Sequence, residues 1–201
     1  MDARLLAWAR AAAARPGSAW RLPRLWLFTD ARRLPDPRPV AARLPPGLGA
    51  VVLRHDGEPG REALGRDLAR ICRARRLVLV VAGDARLAAA LGAGVHLRSG
   101  RWPCQVRPAR ARRGRRQITS SAHGPADLRR AMLAGAGLVF LSPVFATASH
   151  PGAAALGPAR WVRMARFARL PVAALGGIDG ASIRRLPPTI CMAIGAIGAL
   201  A

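Results

Sequence analysis

Short apolar runs alternate with amphipathic stretches along most of the chain. The runs are Leu25–Thr29, Leu48–Arg54, Leu77–Ala82, Gly94–Leu97, Gln117–Ser120, Gly137–Ser142, Pro171–Leu175 and Thr189–Ile194. All are short and all but Gln117–Ser120 are mostly apolar, the pattern of a strand buried on both faces. Between them lie helical stretches. Residues 2–14 form a first helix ended by Pro16-Gly17. Gly60–Arg75 places Leu64, Leu68, Ile71 and Cys72 on one face, and Asp84–Leu91 opens with a capping residue. Pro125–Ala134, Gly157–Phe167 and Gly180–Arg185 follow, and a last helix is expected from near Gly195. Leu34–Pro46 is a proline-rich crossover with little helix expected in it. Eight strands alternating with helices predict an α/β fold with a parallel sheet, closed as a TIM (β/α)8 barrel. One domain is expected: residues 1–24 as helix and linker, 25–201 as barrel.

The seventh run ends in Leu175-Gly176-Gly177-Ile178-Asp179, and the eighth ends in Ile194-Gly195-Ala196. Glycine there lets main-chain N–H groups approach an anion without a Cβ in the way, and a following helix start adds favourable dipole charge. The last two strand ends of such a barrel are where a phosphate is commonly held. Gly176, Gly177, Gly195 and Ala196 are therefore candidate phosphate ligands.

Composition adds an extreme charge of +23 in 201 residues, all of the basic part arginine, with no lysine, asparagine or tyrosine. Arg107–Arg116 concentrates it. This run reads either as a solvated loop between barrel elements or as a nucleic-acid arm. It has no interleaved aromatics, so any nucleic-acid binding is expected to be nonspecific and salt-sensitive. No apolar run is long enough to span a membrane. Cys72, Cys104 and Cys191 are odd in number and outside metal spacing, which suits reduced thiols in a cytoplasmic protein. A homodimer is compatible with the sequence.

Barrel chemistry sits at the C-terminal strand ends. Arg54 ends an apolar strand and suits a phosphate oxygen. Asp84 reads equally as a magnesium ligand or a helix cap. His96 lies in a buried run and reads as a core histidine. His123, after Ser120-Ser121-Ala122, is a candidate general acid/base. The Ser142–His150 stretch offers Thr147, Ser149 and His150 as donors to a carboxylate or phosphate.

In order, these motifs resemble the family of thiamine phosphate synthase and the TenI thiazole tautomerase. The matching segments are the Arg54 strand, Asp84-Ala-Arg-Leu-Ala, Gly94-Val-His96-Leu, Ser121-Ala-His123 and Gly135-Ala-Gly-Leu-Val-Phe. The Ser142–His150 loop with Leu156-Gly157, the Gly176-Gly177 turn and Met192-Ala-Ile-Gly195 complete the series. The resemblance implies coupling of hydroxymethylpyrimidine diphosphate with thiazole phosphate through a carbocation, with Mg2+ neutralising the departing diphosphate. It implies that Arg54 holds the diphosphate, Asp84 the metal, and Ser121 the bridging point. It places Thr147 and Ser149 on the thiazole side, with Gly176, Gly177, Gly195 and Ala196 on its phosphate. The family pattern has glutamine and lysine where Val52 and Asp56 stand, and asparagine at Gly83. It has a second metal carboxylate where Arg98–Trp102 holds none, lysine at His150 and serine at Gly195. Arg98 and Arg101 are candidates to replace the metal's charge, and Asp56 is a candidate to replace its missing ligand. Two other roles follow from the same residues: a TenI-like tautomerase using His123, and a non-catalytic barrel that binds a thiazole phosphate or a polyanion.

Overall fold

The computed structural model describes residues 1–15, 20–103, 117–147 and 154–201. Eight parallel strands close into one barrel in chain order: β1 (Leu25–Phe28), β2 (Gly49–Leu53), β3 (Val78–Ala82), β4 (Gly94–Leu97), β5 (Ile118–Ala122), β6 (Leu138–Leu141), β7 (Val172–Leu175) and β8 (Cys191–Ala196). β8 pairs with β1 at Leu25↔Ile194, Trp26↔Gly195 and Leu27↔Ala196, which completes the ring. Strand alternation divides the core in two. Trp26, Phe28, Val52, Val80 and Phe140 point inward, whereas Leu25, Leu27, Val51 and Val81 pack outward against the helices. Inside, the Phe28 and Phe140 rings meet edge to face at 4.8 Å, and His96 sits 5.5 Å from Phe28. The barrel is thus a packed core.

Helices α1 (Ala3–Ala13), α2 (Arg38–Arg43), α3 (Arg61–Ala74), α4 (Ala85–Leu91), α5 (Pro125–Leu133) and α6 (Gly157–Phe167) surround it. The expected crossover does contain a helix, α2, because Pro39 stands in its first turn, where its missing N–H costs nothing. Leu44 ends it, held extended by Pro45. The helix expected at Gly180–Arg185 is only a 3-10 turn, Ser182–Arg185, stopped before Pro187-Pro188. The final helix is likewise one turn, Gly198–Leu200. With no long helix after β8, α1 spans the seam. Asp2 caps α1 through Arg4 N–H at 2.8 Å, and its other carboxylate oxygen accepts from Gly180 N–H at 2.7 Å. At the far end, Arg24 donates to the Ala12 carbonyl at 2.9 Å. A Cβ on Gly180 would lie 2.5 Å from Asp2, so this position must stay bare. Among the described residues, no helix is long and apolar enough to cross a membrane.

Candidate functional site

The C-terminal strand ends open onto a cavity of about 500 Å3. Gly176, Gly177, Gly195, Ala196, Arg54, His123 and Thr147 all line it, so the structure brings these seven sequence candidates together. Ser149, His150 and the Arg107–Arg116 run lie outside the described residues.

One side of the cavity is main chain. Gly176 and Gly177 follow β7 with φ of 91° and 64°, conformations that side-chain-bearing residues rarely adopt. A Cβ on Gly176 would lie 2.8 Å from Pro143, and one on Gly177 would lie 2.5 Å from the Ala146 carbonyl. Glycine is required because the 142–147 loop packs against the turn, and loop and turn line the cavity together. That loop is pinned by Val144 N–H on the Leu175 carbonyl at 3.0 Å and Phe145 N–H on the Gly176 carbonyl at 3.1 Å. Gly195 and Ala196 differ from expectation: they lie inside β8, which ends two residues later than the apolar run suggests. Gly195 makes room at the floor, since a Cβ there would meet Phe28 at 2.7 Å and Leu175 at 3.0 Å. The turn itself comes at Ile197-Gly198, which also line the cavity. Asp179 lines it too, but Ala181 and Ser182 N–H groups bond its carboxylate at 2.9 and 2.7 Å. The bond from Ser182 is the main cause holding it below the usual carboxylate range.

Arg54 lines the same cavity from the end of β2, three strands round the ring from β7. Its N–H donates to Thr29 Oγ1 at 2.9 Å, and its guanidinium lies 3.8 Å from Asp30. Burial pushes the Asp30 carboxyl up, but N–H donors from Arg33 and Arg32 and the Arg54 and Arg33 charges outweigh it and leave it lowered. The same turn delivers Arg33 to the cavity wall. Sequence reasoning missed Arg33; an aspartate at a strand end, bonding N–H groups two and three residues on, is the signal that could have found it. His55 is buried beside it, its Nδ1 2.9 Å from Thr29 Oγ1.

His123 follows β5, with Nδ1 3.0 Å from the Ser142 carbonyl. A carbonyl only accepts, so Nδ1 carries the proton and Nε2 of the neutral ring is an acceptor. Ser121 is half-buried, and its hydroxyl accepts from Ser99 N–H at 3.1 Å; it does not line the cavity. His96 is a core residue: buried, with Nδ1 2.9 Å from Thr119 Oγ1. Burial first, then the Arg54 and Arg98 charges, lower it to about 3, so the ring is neutral.

A second cavity opens at the ends of β2, β3 and β4, lined by Asp56, Arg61, Asp84, Arg98 and Arg101. Asp84 Oδ1 accepts from Leu87 N–H at 2.9 Å as the cap of α4, and Oδ2 lies 3.3 Å from Arg61. Arg61, absent from the sequence candidates, donates Nε to the Arg54 carbonyl at 2.8 Å and a terminal nitrogen to the Ala82 carbonyl at 2.6 Å. Asp56 lies 2.6 Å from Arg98 and 3.5 Å from Arg61. Magnesium seeks oxygen ligands in near-octahedral array. Here all four carboxylate oxygens are already engaged: Asp84 by Leu87 N–H and Arg61, and Asp56 by Arg61 and Arg98. This donor set does not fit magnesium.

The family model described as thiamine monophosphate synthase matches residues 25–200. The chain belongs to this family. Thiamine-phosphate synthase of Thiobacillus denitrificans is 37% identical over 148 residues, covering 71% of this chain and 69% of that one. The Geobacillus kaustophilus thiamine-phosphate synthase is 33% identical over 177 residues, 82% and 79% of the two chains. Among solved structures, a thiamine phosphate pyrophosphorylase from Pyrococcus furiosus superposes with a TM-score of 0.71 at 25% identity, over 88% and 86% of the two chains.

Proposed function

We propose that this member of the thiamine monophosphate synthase family is an enzyme of thiamine biosynthesis that couples hydroxymethylpyrimidine diphosphate with thiazole phosphate. Family membership carries the pathway. The observation that carries the reaction is the single cavity lined both by a bare main-chain turn at Gly176-Gly177 and by Arg54. The turn suits the thiazole phosphate, and Arg54 suits the diphosphate. Thr147 lines the same cavity and suits the thiazole side. The chemistry asks the protein to position two partners and neutralise a leaving anion, which such a cavity supports. We also propose a cytoplasmic setting, in keeping with buried Cys72 and Cys191, whose thiols burial pushes up to about 12.

One observation favours a second activity, a TenI-like tautomerisation of the thiazole. The Ser142 carbonyl leaves His123 Nε2 as a proton acceptor at the cavity wall. Complementation of a strain lacking the synthase, together with assay of thiamine phosphate formation from the two substrates, tests the first reading. Formation of product supports it. Failure of both, with thiazole isomerisation lost in His123→Ala, replaces it with the second.

A further inference from the structure

The second cavity holds about 590 Å3 and carries Arg61, Arg86, Arg98 and Arg101 against two aspartates, Asp56 and Asp84. Arg61 is a fixed charge: its side chain is 15% exposed and is tied to the carbonyls of Arg54 and Ala82. Arg98 is the more exposed one, at 60%, and pairs with the 41% exposed Asp56. Exposed pairs of this kind are weak, whereas a bidentate guanidinium–phosphate contact is stronger. Asp56, the partner of Arg98 at 2.6 Å, stands two residues after Arg54, and Arg61 bonds the Arg54 carbonyl at 2.8 Å, so Arg98 reaches the strand end that carries Arg54. The Arg98 guanidinium also lies against Gly83, where a Cβ would sit 3.3 Å from its Nε.

We infer that Arg98, released from Asp56 and backed by Arg61, takes the charge of the diphosphate with Arg54, and that this chain works without a divalent metal. The inference rests on the proposed coupling reaction. In that step the methylene C–O bond to the diphosphate breaks, and both electrons leave with the diphosphate. The thiazole nitrogen lone pair then forms the C–N bond, leaving a thiazolium, so no proton or redox partner is needed. Guanidinium groups balance the charge developing on the leaving oxygens. The test is calorimetric titration of inorganic pyrophosphate in EDTA and in saturating magnesium, using the full chain. Expected are binding in EDTA, a change of less than about twofold on adding magnesium, and roughly tenfold weaker binding or more in Arg98→Ala. Arg166→Ala, on the exposed last turn of α6, controls for general charge and is expected to bind like wild type. Arg61→Lys keeps a cation where removal would cost the fold, and is expected to weaken binding while remaining folded. Binding only in magnesium, or wild-type binding by Arg98→Ala, overturns the inference. Coupling that EDTA abolishes overturns it and leaves the function standing. Metal-free binding by the arginines without coupling upholds the charge assignment and removes the function.

Discussion

The two sides of the barrel mouth are built from different materials. At β7 and β8 the wall is largely main chain, with two left-handed glycines after β7 packed against the 142–147 loop. At β2, β3 and β4 it is side chain, four arginines and two aspartates in mutual contact or close by. A main-chain wall depends on a few positions that tolerate no substitution, so its sequence signature persists. A side-chain wall can exchange one charge carrier for another and keep its electrostatic purpose. Against the resemblance read from the sequence, the Gly176-Gly177 turn is retained although Gly195 departs on the same side, and the departures at Val52, Asp56, Gly83 and Arg98–Trp102 fall at the ends of β2, β3 and β4.

The largest expected break is Gly177→Ala. With φ at 64° and a backbone oxygen 2.5 Å from the new Cβ, the turn or the 142–147 loop must shift. Thiazole phosphate binding is expected to fall by two orders of magnitude or so, with stability down by about 1–3 kcal/mol, measured by titration and thermal melting. Arg54→Ala comes next: a lost charged contact predicts roughly 10- to 150-fold slower coupling, with a smaller effect on thiazole phosphate affinity. Equal losses on both substrates would erase the division between the walls.

The third prediction concerns pH. The folded His96 is lowered to about 3, while an unfolded histidine titrates near 6.5. Between these values the unfolded chain binds a proton that the folded chain refuses. Stability is therefore full above about pH 6.5 and falls by about 1.4 kcal/mol for each pH unit below it. Denaturant midpoints from pH 7 to 4 measure this, and His96→Asn is expected to flatten the slope. The smallest effect is Asp84→Ala, which removes the α4 cap and should cost about 1 kcal/mol of stability. A metal-binding Asp84 would instead show its loss chiefly as a changed magnesium response.

Most strand positions were legible because each is an apolar run broken by turn residues; β5, with Thr119, Ser120 and Ser121, was legible only from the alternation around it. The end of β8 was not, since Gly195 reads as punctuation but serves as floor space under Phe28 and Leu175. The Gly176-Gly177 turn was legible in position, though its glycines answer to Pro143 and Ala146 as much as to a ligand. Arg61 was illegible. At the first turn of an amphipathic helix it looks like any solvated arginine, and only the closure of β2 beside β3 brings the Arg54 and Ala82 carbonyls to it.

Arg61 also works as a keystone. One side chain takes the Arg54 and Ala82 carbonyls and faces both Asp56 and Asp84, so it ties the ends of β2 and β3 to the acids of the rim. A substitution there disturbs two strand ends and the charge balance of the rim in one stroke.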